Sequence, residues 1–169
     1  MIGIRPARED DAQLVAEIGM RAWRRAIEAI GETEAMAKAA RDAFDVFAAD
    51  GWRTITVVED AGQIVGWAAR QTQDATISDF WIEPGFFRQG YGSLLLHRIE
   101  ADIAAQGFDS ALIDTHSGNE RAIAFFKKHG YAIHALTVAY NPALDRDVPT
   151  VSLSKNLAGS ESDLYTGNG

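Results

Sequence analysis

Residues 80–96 read FWIEPGFFRQGYGSLLL and combine the features of an anion-binding turn. A strand-like run ends at Pro84, and a leucine row at helical spacing begins just after Gly92. The first N–H groups of a helix have no intrahelical acceptor, and the helix dipole places about half a positive charge at the same end. Gly90 and Gly92 carry no side chains that would keep an anion from these groups, and Arg88 can add a full charge nearby. The pattern predicts a phosphate or pyrophosphate site.

Three other interpretations of the same turn have to be considered. A tight turn that binds nothing also uses glycines, and the glycines alone leave this interpretation open. A dinucleotide site needs a third glycine in the pattern G-x-G-x-x-G, but Leu95 stands there and a long stretch of predicted helices and hairpin comes first. A Walker-type loop is excluded because no Gly-Lys-Ser/Thr ending follows the glycines.

A second motif lies after the helix that this turn begins. Residues 119–131 read NERAIAFFKKHGY, while the first motif contains Ile82-Glu83-Pro84 followed by Phe87-Arg88-Gln89-Gly90-Tyr91-Gly92. Together they resemble the motifs of the GCN5-related N-acetyltransferases, which are written V-x-P, R/Q-x-x-G-x-G/A and N-x-x-A-x-x-F-Y-x-x-x-G-F. The opening IGIRPAREDDA and the closing VSLSKNL also fit the family, so the resemblance spans about residues 1–157.

The resemblance implies both a fold and a reaction. The fold is the acyl-CoA N-acyltransferase fold of the α/β class, with a mixed antiparallel and parallel central sheet flanked by helices. The reaction is direct attack of a primary amine of a small molecule or peptide on the thioester of acetyl-CoA, a cosubstrate, with the backbone N–H of Ile82 donating to the oxyanion. The residues implied in binding acetyl-CoA are Ile82, Phe87, Arg88, Gln89, Gly90, Tyr91, Gly92, Ser93, Asn119 and Phe126.

Asn119 and three carboxylates are the side-chain candidates for catalysis. Asn119 caps the predicted helix or, as in the family, also holds the pantetheine arm or a water. A lysine-like amine, with a pKa of about 10.4, is protonated at neutral pH, so a base would help. Asp114 is the first candidate because related ribosomal-protein acetyltransferases place a glutamate there, and Asp79 and Glu83 on the preceding strand come next. Each of the three could equally be a strand-end carboxylate in an ion pair or facing water.

Two positions depart from the pattern of the family. Phe87 stands at the usual arginine or glutamine, although an arginine follows, and main-chain N–H groups are expected to keep the pyrophosphate bound. Phe126 stands where many members have a tyrosine that protonates the leaving thiolate. Because a thiol pKa is about 8.5, protonation at pH 7 supplies only about 2 kcal/mol, so the thiolate can leave unaided. His116, Ser117, Tyr140 or a water could replace the acid, and the alternative function is a non-catalytic module that binds coenzyme A or an acyl-CoA.

Composition limits the other classes of function. The 169 residues carry 16 basic and 24 acidic side chains, a formal net charge of -8, which argues against broad binding of nucleic acid or anionic membranes. The absence of cysteine excludes thiol nucleophiles and Cys-ligated zinc, and the four histidines show no metal-ligand spacing, so no metal is expected. No apolar run is long enough to cross a bilayer, and a soluble cytoplasmic protein is expected. The expected partners are acetyl-CoA and an amine acceptor, and a homodimer is common in the family.

The elements around the motifs predict a single domain over residues 1–157 and a flexible polar tail over 158–169. The predicted strands cover 2–5, 54–59, 63–71, 76–82, 111–117, 131–140 and 150–157. The predicted helices follow Asp10 or Asp11, run from 33 to 49, begin near Gly92, and begin after Asn119. Three consecutive strands precede a strand-helix-strand unit, so the sheet is expected to be antiparallel at first with one parallel pair at its centre.

Overall fold

The structure of the protein, a computed structural model, describes residues 1–141 and 144–158. The tail predicted for 158–169 therefore lies outside the described residues from 159 onward. The helices are α1 (Ala12–Ala26), α2 (Glu34–Gly51), α3 (Tyr91–Ala105) and α4 (Glu120–Lys128). The strands are β1 (Ile2–Pro6), β2 (Ile55–Asp60), β3 (Gln63–Ala69), β4 (Thr76–Ile77), β5 (Asp79–Ile82), β6 (Ser110–His116), β7 (Ala132–Asn141) and β8 (Arg146–Asn156).

The strands form two four-stranded sheets. The first has the order β1-β2-β3-β5 and is antiparallel throughout, while the second has the order β4-β6-β8-β7 and contains the parallel pair β4–β6. The predicted α/β class is confirmed, as are antiparallel strands first and a single parallel pair among the described strands. The strands form two sheets rather than the one predicted, and the parallel pair lies at the edge of the second sheet rather than at a centre.

The third predicted strand is shared between the two sheets. It is interrupted at Ser78, whose N–H and hydroxyl both bond to Ala69 O, at 2.9 and 3.1 Å. Before this point β4 pairs with β6, with Ile77 opposite Ile113, and after it β5 pairs with β3. Because β5 follows the first sheet and β6 follows the second, the two strands diverge. We call the space between them the strand gap.

Two hydrophobic cores hold the sheets and helices together. The first core joins α1 and α2 to the first sheet around Trp67, which is fully buried and meets Phe44 edge-on. The second core places α3 and Phe126 of α4 against both sheets, with Leu95 and Leu96 of α3 fully buried. At about 25 cal/mol for each Å² of apolar surface, burial of this kind provides most of the folding free energy. Helices thus cover the two faces of the strand gap from opposite sides.

Two local predictions were wrong. Asp11 does not cap α1 with its side chain; its carboxylate accepts the N–H of Arg8 at 2.8 Å and pairs with Arg5 at 2.8 Å, which fixes the short turn before the helix. The last strand was predicted to begin at residue 150, but it begins at Arg146. Pro149 lies within it, opposite Val138 on β7. Proline cannot donate to a ladder, so the sequence alone favours a later start.

Candidate functional site

The start of α3 carries the main-chain groups of the predicted anion site. Gly90, the residue before the helix, has φ of 87°, and no side chain caps the helix. The N–H groups of Tyr91, Gly92 and Ser93 therefore have no intrahelical acceptor. A Cβ added at Gly90 would meet no atom within 4 Å, so the space beside Gly90 is open. Arg88, exposed and at φ of 63°, lies two residues before Gly90 in the same loop.

Gly92 has a packing role in addition to the one predicted. A Cβ at this position would lie 3.2 Å from the ring of Phe125 on α4 and 3.8 Å from Ile82. The missing side chain therefore also allows α3 to pack closely against α4. The prediction of a helix N-terminus was right, but its reason at Gly92 was incomplete.

Ser93 makes a hydrogen bond that fixes its orientation. His129 Nδ1 lies 2.8 Å from Phe125 O, and a carbonyl oxygen only accepts, so Nδ1 donates. In the neutral ring Nε2 is then the acceptor, and the Ser93 hydroxyl, 2.8 Å away, donates to it. Ser93 is therefore left with its N–H as the donor it can offer at the helix start.

The backbone of Ile82 points into the strand gap. Glu83 donates its N–H to Val65 O at 2.8 Å, which makes this pair a hydrogen-bonded one. In an antiparallel ladder the neighbouring residue directs its N–H the other way. Ile82, in register with Gly66, therefore turns its N–H away from β3 and towards β6. Sequence reasoning missed Gly66, where a Cβ would lie 2.5 Å from Ile82 Cδ1, so this glycine gives Ile82 its place.

Asn119 caps α4, as predicted. Its Oδ1 accepts the N–H of Ala122 at 3.3 Å, and its Nδ2 donates to Thr115 Oγ1 at 3.3 Å. An amide nitrogen carries two hydrogens, so one N–H of Asn119 has no partner in these bonds. Because Asn119 follows β6 closely, this donor lies near the open end of the gap.

The candidate proton donors differ in their surroundings. Phe126 is 2% exposed and packs against Phe80 and Tyr131. The hydroxyl of Tyr140 donates to Asp145 at 2.7 Å, and this bond raises its pKa. His116 is 7% exposed, and neither ring nitrogen has a hydrogen-bond partner among the described residues. Burial lowers the pKa of His116, so the ring is neutral at pH 7 and carries no acidic proton to give to a departing thiolate.

The three candidate carboxylates also differ in their exposure and in their partners. Asp114 is exposed and projects from the face of β6 opposite Ile113, hence away from α3. Glu83 forms a two-pronged ion pair with Arg21 of α1, both bonds being 2.7 Å. Asp79 is half-buried and accepts the indole N–H of Trp81 at 3.2 Å. Burial raises the pKa of Asp79 to about 6, although the hydrogen bonds from Trp81 and Ser78 oppose this shift.

The ring of Phe87 contacts two arginines that the sequence analysis did not place here. The guanidinium of Arg121 on α4 lies 4.8 Å from the centre of the Phe87 ring, and that of Arg25 on α1 lies 5.8 Å away. Both distances are within cation–π range. These side chains are far apart in sequence, and no local pattern predicts their meeting.

Two searches of the described residues give negative results. No group of three histidine, aspartate or glutamate side chains in residues 1–141 and 144–158 is arranged to hold a metal ion. No described helix is long and apolar enough to span a membrane.

Comparisons with known proteins give a consistent assignment. A model of the acetyltransferase (GNAT) family matches residues 17–131. Proteins of Mycobacterium bovis and Mycobacterium tuberculosis, each named an uncharacterised N-acetyltransferase, are 28% identical over 94 residues. That alignment covers 54% of this chain and only 60% of each relative.

Solved structures share the fold over nearly the whole chain. A GCN5-related N-acetyltransferase of Rhodopseudomonas palustris has a TM-score of 0.76 at 21% identity, covering 92% of this chain and 95% of that one. The PaiA N-acetyltransferase of Thermoplasma acidophilum, solved in complex with coenzyme A, has a TM-score of 0.73 at 15% identity, covering 92% of this chain and 99% of that one.

Proposed function

The chain belongs to the acetyltransferase (GNAT) family, and we propose that it is an N-acetyltransferase that moves the acetyl group of acetyl-CoA to a primary amine of a small molecule or peptide. The mycobacterial relatives carry the name N-acetyltransferase, and a protein of the same fold was solved with coenzyme A. Both facts support the proposal.

The observation that carries the proposal is the direction of the Ile82 N–H. This group points into the strand gap, and the gap opens near the uncapped start of α3. A thioester in the gap would present its carbonyl oxygen to a fixed backbone donor, which stabilises negative charge as it develops. A donor that is already in place needs no reorganisation during the reaction.

The residues around the gap suit coenzyme A. The N–H groups of Tyr91, Gly92 and Ser93 would hold the pyrophosphate at the helix start. The remaining N–H of Asn119 would hold the pantetheine arm or a water beside it. Phe87, Arg88 and Gln89 form the loop before the helix, and Phe126 forms part of the core wall behind it. Acetyl-CoA, when bound, supplies an acyl group activated as a thioester.

The acceptor proton needs a separate route. We propose that Asp79 takes this proton, because a half-buried carboxylate with a pKa of about 6 is close to the working pH of a general base. Asp114 is the second candidate, exposed and turned to the same side as His116. Glu83 is less suited, since its carboxylate is engaged by Arg21. The departing sulfur needs no side-chain acid, because a thiol pKa of about 8.5 makes the thiolate an adequate leaving group.

One observation favours the alternative, a non-catalytic module that binds coenzyme A. The ring of Phe126 is enclosed in the second core and carries no group that could donate a proton to sulfur. Such a module would keep the helix start and the gap but would release no thiol.

The test combines binding with turnover in the same preparation. Thermal unfolding is followed with saturating acetyl-CoA, coenzyme A and NAD, and thiol release is followed with polyamine, aminoglycoside, amino acid and N-terminal peptide acceptors. We expect a rise in Tm with both forms of coenzyme A but not with NAD, because a ligand at 100 times its Kd adds about 2.7 kcal/mol. We also expect amine-dependent thiol release. Stabilisation without release would favour the binding module, and no stabilisation by coenzyme A would contradict both functions.

A further inference from the structure

Phe87 lies between two positive side chains from opposite sides of the strand gap. Arg25 comes from α1 and Arg121 from α4, and both guanidinium groups face its ring. Phe87 itself belongs to the loop that leads into α3. The contact between Phe87 and Arg121 therefore joins that loop to the first turn of α4.

The two arginines differ in their charge partners. Arg25 forms an ion pair with Glu28, with Nε and Oε1 3.1 Å apart. Arg121 is exposed and forms no ion pair with any carboxylate in the described part of the chain. In a protein of net charge -8, acidic partners are plentiful, so an arginine whose described contact is an aromatic ring is unusual. Its positive charge is left available to another anion.

The position of Arg121 within its helix points the same way. α4 begins at Glu120, so Arg121 lies in the first turn, where the helix dipole disfavours positive charge. The basic residues that match the dipole, Lys127 and Lys128, lie in the last turn. A cation held at the unfavourable end by a ring, and without an acidic partner there, is suited to meet an incoming anion.

We propose that Arg121, held by the ring of Phe87, binds the pyrophosphate of coenzyme A together with the N–H groups at the start of α3. This inference rests on the proposed function. It explains how the loop can carry phenylalanine at position 87: the ring holds an arginine from α4, which adds to the charge of Arg88 in the loop. The planar guanidinium can bind two phosphate oxygens at once in a fixed, parallel geometry that the ammonium of a lysine does not have.

The experiment compares coenzyme A with dephospho-coenzyme A, which keeps the pyrophosphate but lacks the 3′-phosphate. The Kd of each is measured by calorimetry on the full chain, unaltered and as Arg121→Gln, Phe87→Leu and Lys128→Gln. Arg121→Gln removes a charge-assisted bond to the pyrophosphate and is expected to raise both Kd values about 10-fold or more. Phe87→Leu should raise both by a smaller factor, because Arg121 loses its support. Lys128→Gln, an exposed change on the same helix, should leave both Kd values unchanged.

The outcomes separate this inference from the proposed function. Failure of the unaltered protein to bind coenzyme A would contradict the proposed function and this inference with it. Normal binding by the unaltered protein, with less than a 2-fold change in Arg121→Gln, would overturn this inference alone. A loss seen only with coenzyme A would also overturn it, because it would place Arg121 at the 3′-phosphate. Tighter binding by Phe87→Leu would identify the ring as an obstacle, with the same consequence. Thermal unfolding without ligand checks that each variant is folded.

Discussion

The two sides of the strand gap are built from different parts of the polypeptide. On the side of α3 the donors are main-chain N–H groups at a helix start, with Arg88 and Arg121 nearby. On the side of α1 the groups are side chains: the carboxylates of Asp79 and Glu83 and the neutral ring of His116.

This difference separates binding from chemistry. Backbone donors at the start of a helix keep their direction whatever side chains surround them, which suits a cofactor with constant phosphates. Side-chain groups take their pKa values from burial and neighbours, which suits proton transfer and a variable acceptor. Changes on the α1 side should therefore alter turnover, and changes on the α3 side should alter cofactor affinity.

The largest expected effect is on turnover, from Asp79→Asn. We expect kcat to fall about 100-fold, since general base catalysis is worth about 100-fold or more, with an unchanged Kd for coenzyme A. Asp114→Asn is the matched comparison on the facing strand. A larger loss of kcat in Asp114→Asn than in Asp79→Asn would reverse our choice of base.

The same change should also alter stability in a pH-dependent way. The folded state holds the Asp79 proton up to a pKa of about 6, against an ordinary value of 3.8. Between these values the folded state binds more protons than the unfolded chain, so the contribution of Asp79 to stability falls as the pH rises. Asp79→Asn should therefore stabilise the protein at pH 8, by up to about 3 kcal/mol, and have little effect below about pH 4. Urea unfolding at the two pH values measures the difference, and destabilisation at pH 8 would contradict it.

The next effect should be on cofactor affinity, from Gly90→Ala. At φ of 87° a non-glycine residue is strained by about 1–2 kcal/mol, so the loop before α3 should shift and the Kd for coenzyme A should rise about 10-fold. Gly62→Ala is the control, since Gly62 has φ of 81° and open space around it but lies in the β2–β3 turn. Both variants should lose similar stability, and only Gly90→Ala should lose affinity. Equal affinities would argue that the loop does not bind the cofactor.

Phe126→Tyr, on α4, tests whether the side of the gap that includes α3 contributes a proton donor as well as binding groups. The new hydroxyl would enter an enclosed apolar site, so we expect the free energy of unfolding to fall by about 1 kcal/mol. The rate of thiol release should not increase, because the thiolate can leave without an acid. An increase of 10-fold in kcat would instead show that the missing tyrosine limits the reaction.

The smallest effect is expected for Glu83→Gln. This change removes the ion pair with Arg21, whose side chain is 46% exposed and so partly screened by solvent, and stability should fall by about 0.5 kcal/mol. Turnover should change less than 3-fold, in contrast to Asp79→Asn on the same strand. A loss of kcat as large as that of Asp79→Asn would give Glu83 the role of base.

Local sequence signals predicted the backbone part of the site. Gly90 before a leucine row and Asn119 before a short amphipathic helix indicate helix starts, and both helices were found at those places. The break at Ser78 left no such signal, because it depends on two hydrogen bonds to Ala69 on another strand. One predicted strand therefore became two, and the gap itself could not be read from the residues that border it.

The side-chain part of the site depended on tertiary contacts. The pKa of Asp79 is raised by its burial, which is a property of the folded chain. The meeting of Phe87 with Arg121 joins a loop to a helix that begins some thirty residues later, as the printed sequence shows. Ile82 was named from the family motif, whereas the direction of its N–H follows from the register with β3. Motifs thus located the residues, and pairing gave them their orientation.

The most direct test of the central claim is a map of backbone amide shifts by ¹⁵N NMR during titration with acetyl-CoA, in a chain of 18.4 kDa. The largest shifts are expected at the N–H groups of Ile82 and of Tyr91, Gly92 and Ser93, with smaller shifts at Asn119. Shifts confined to other parts of the chain, or none at saturating acetyl-CoA, would contradict the assignment of the strand gap as the place where the thioester binds.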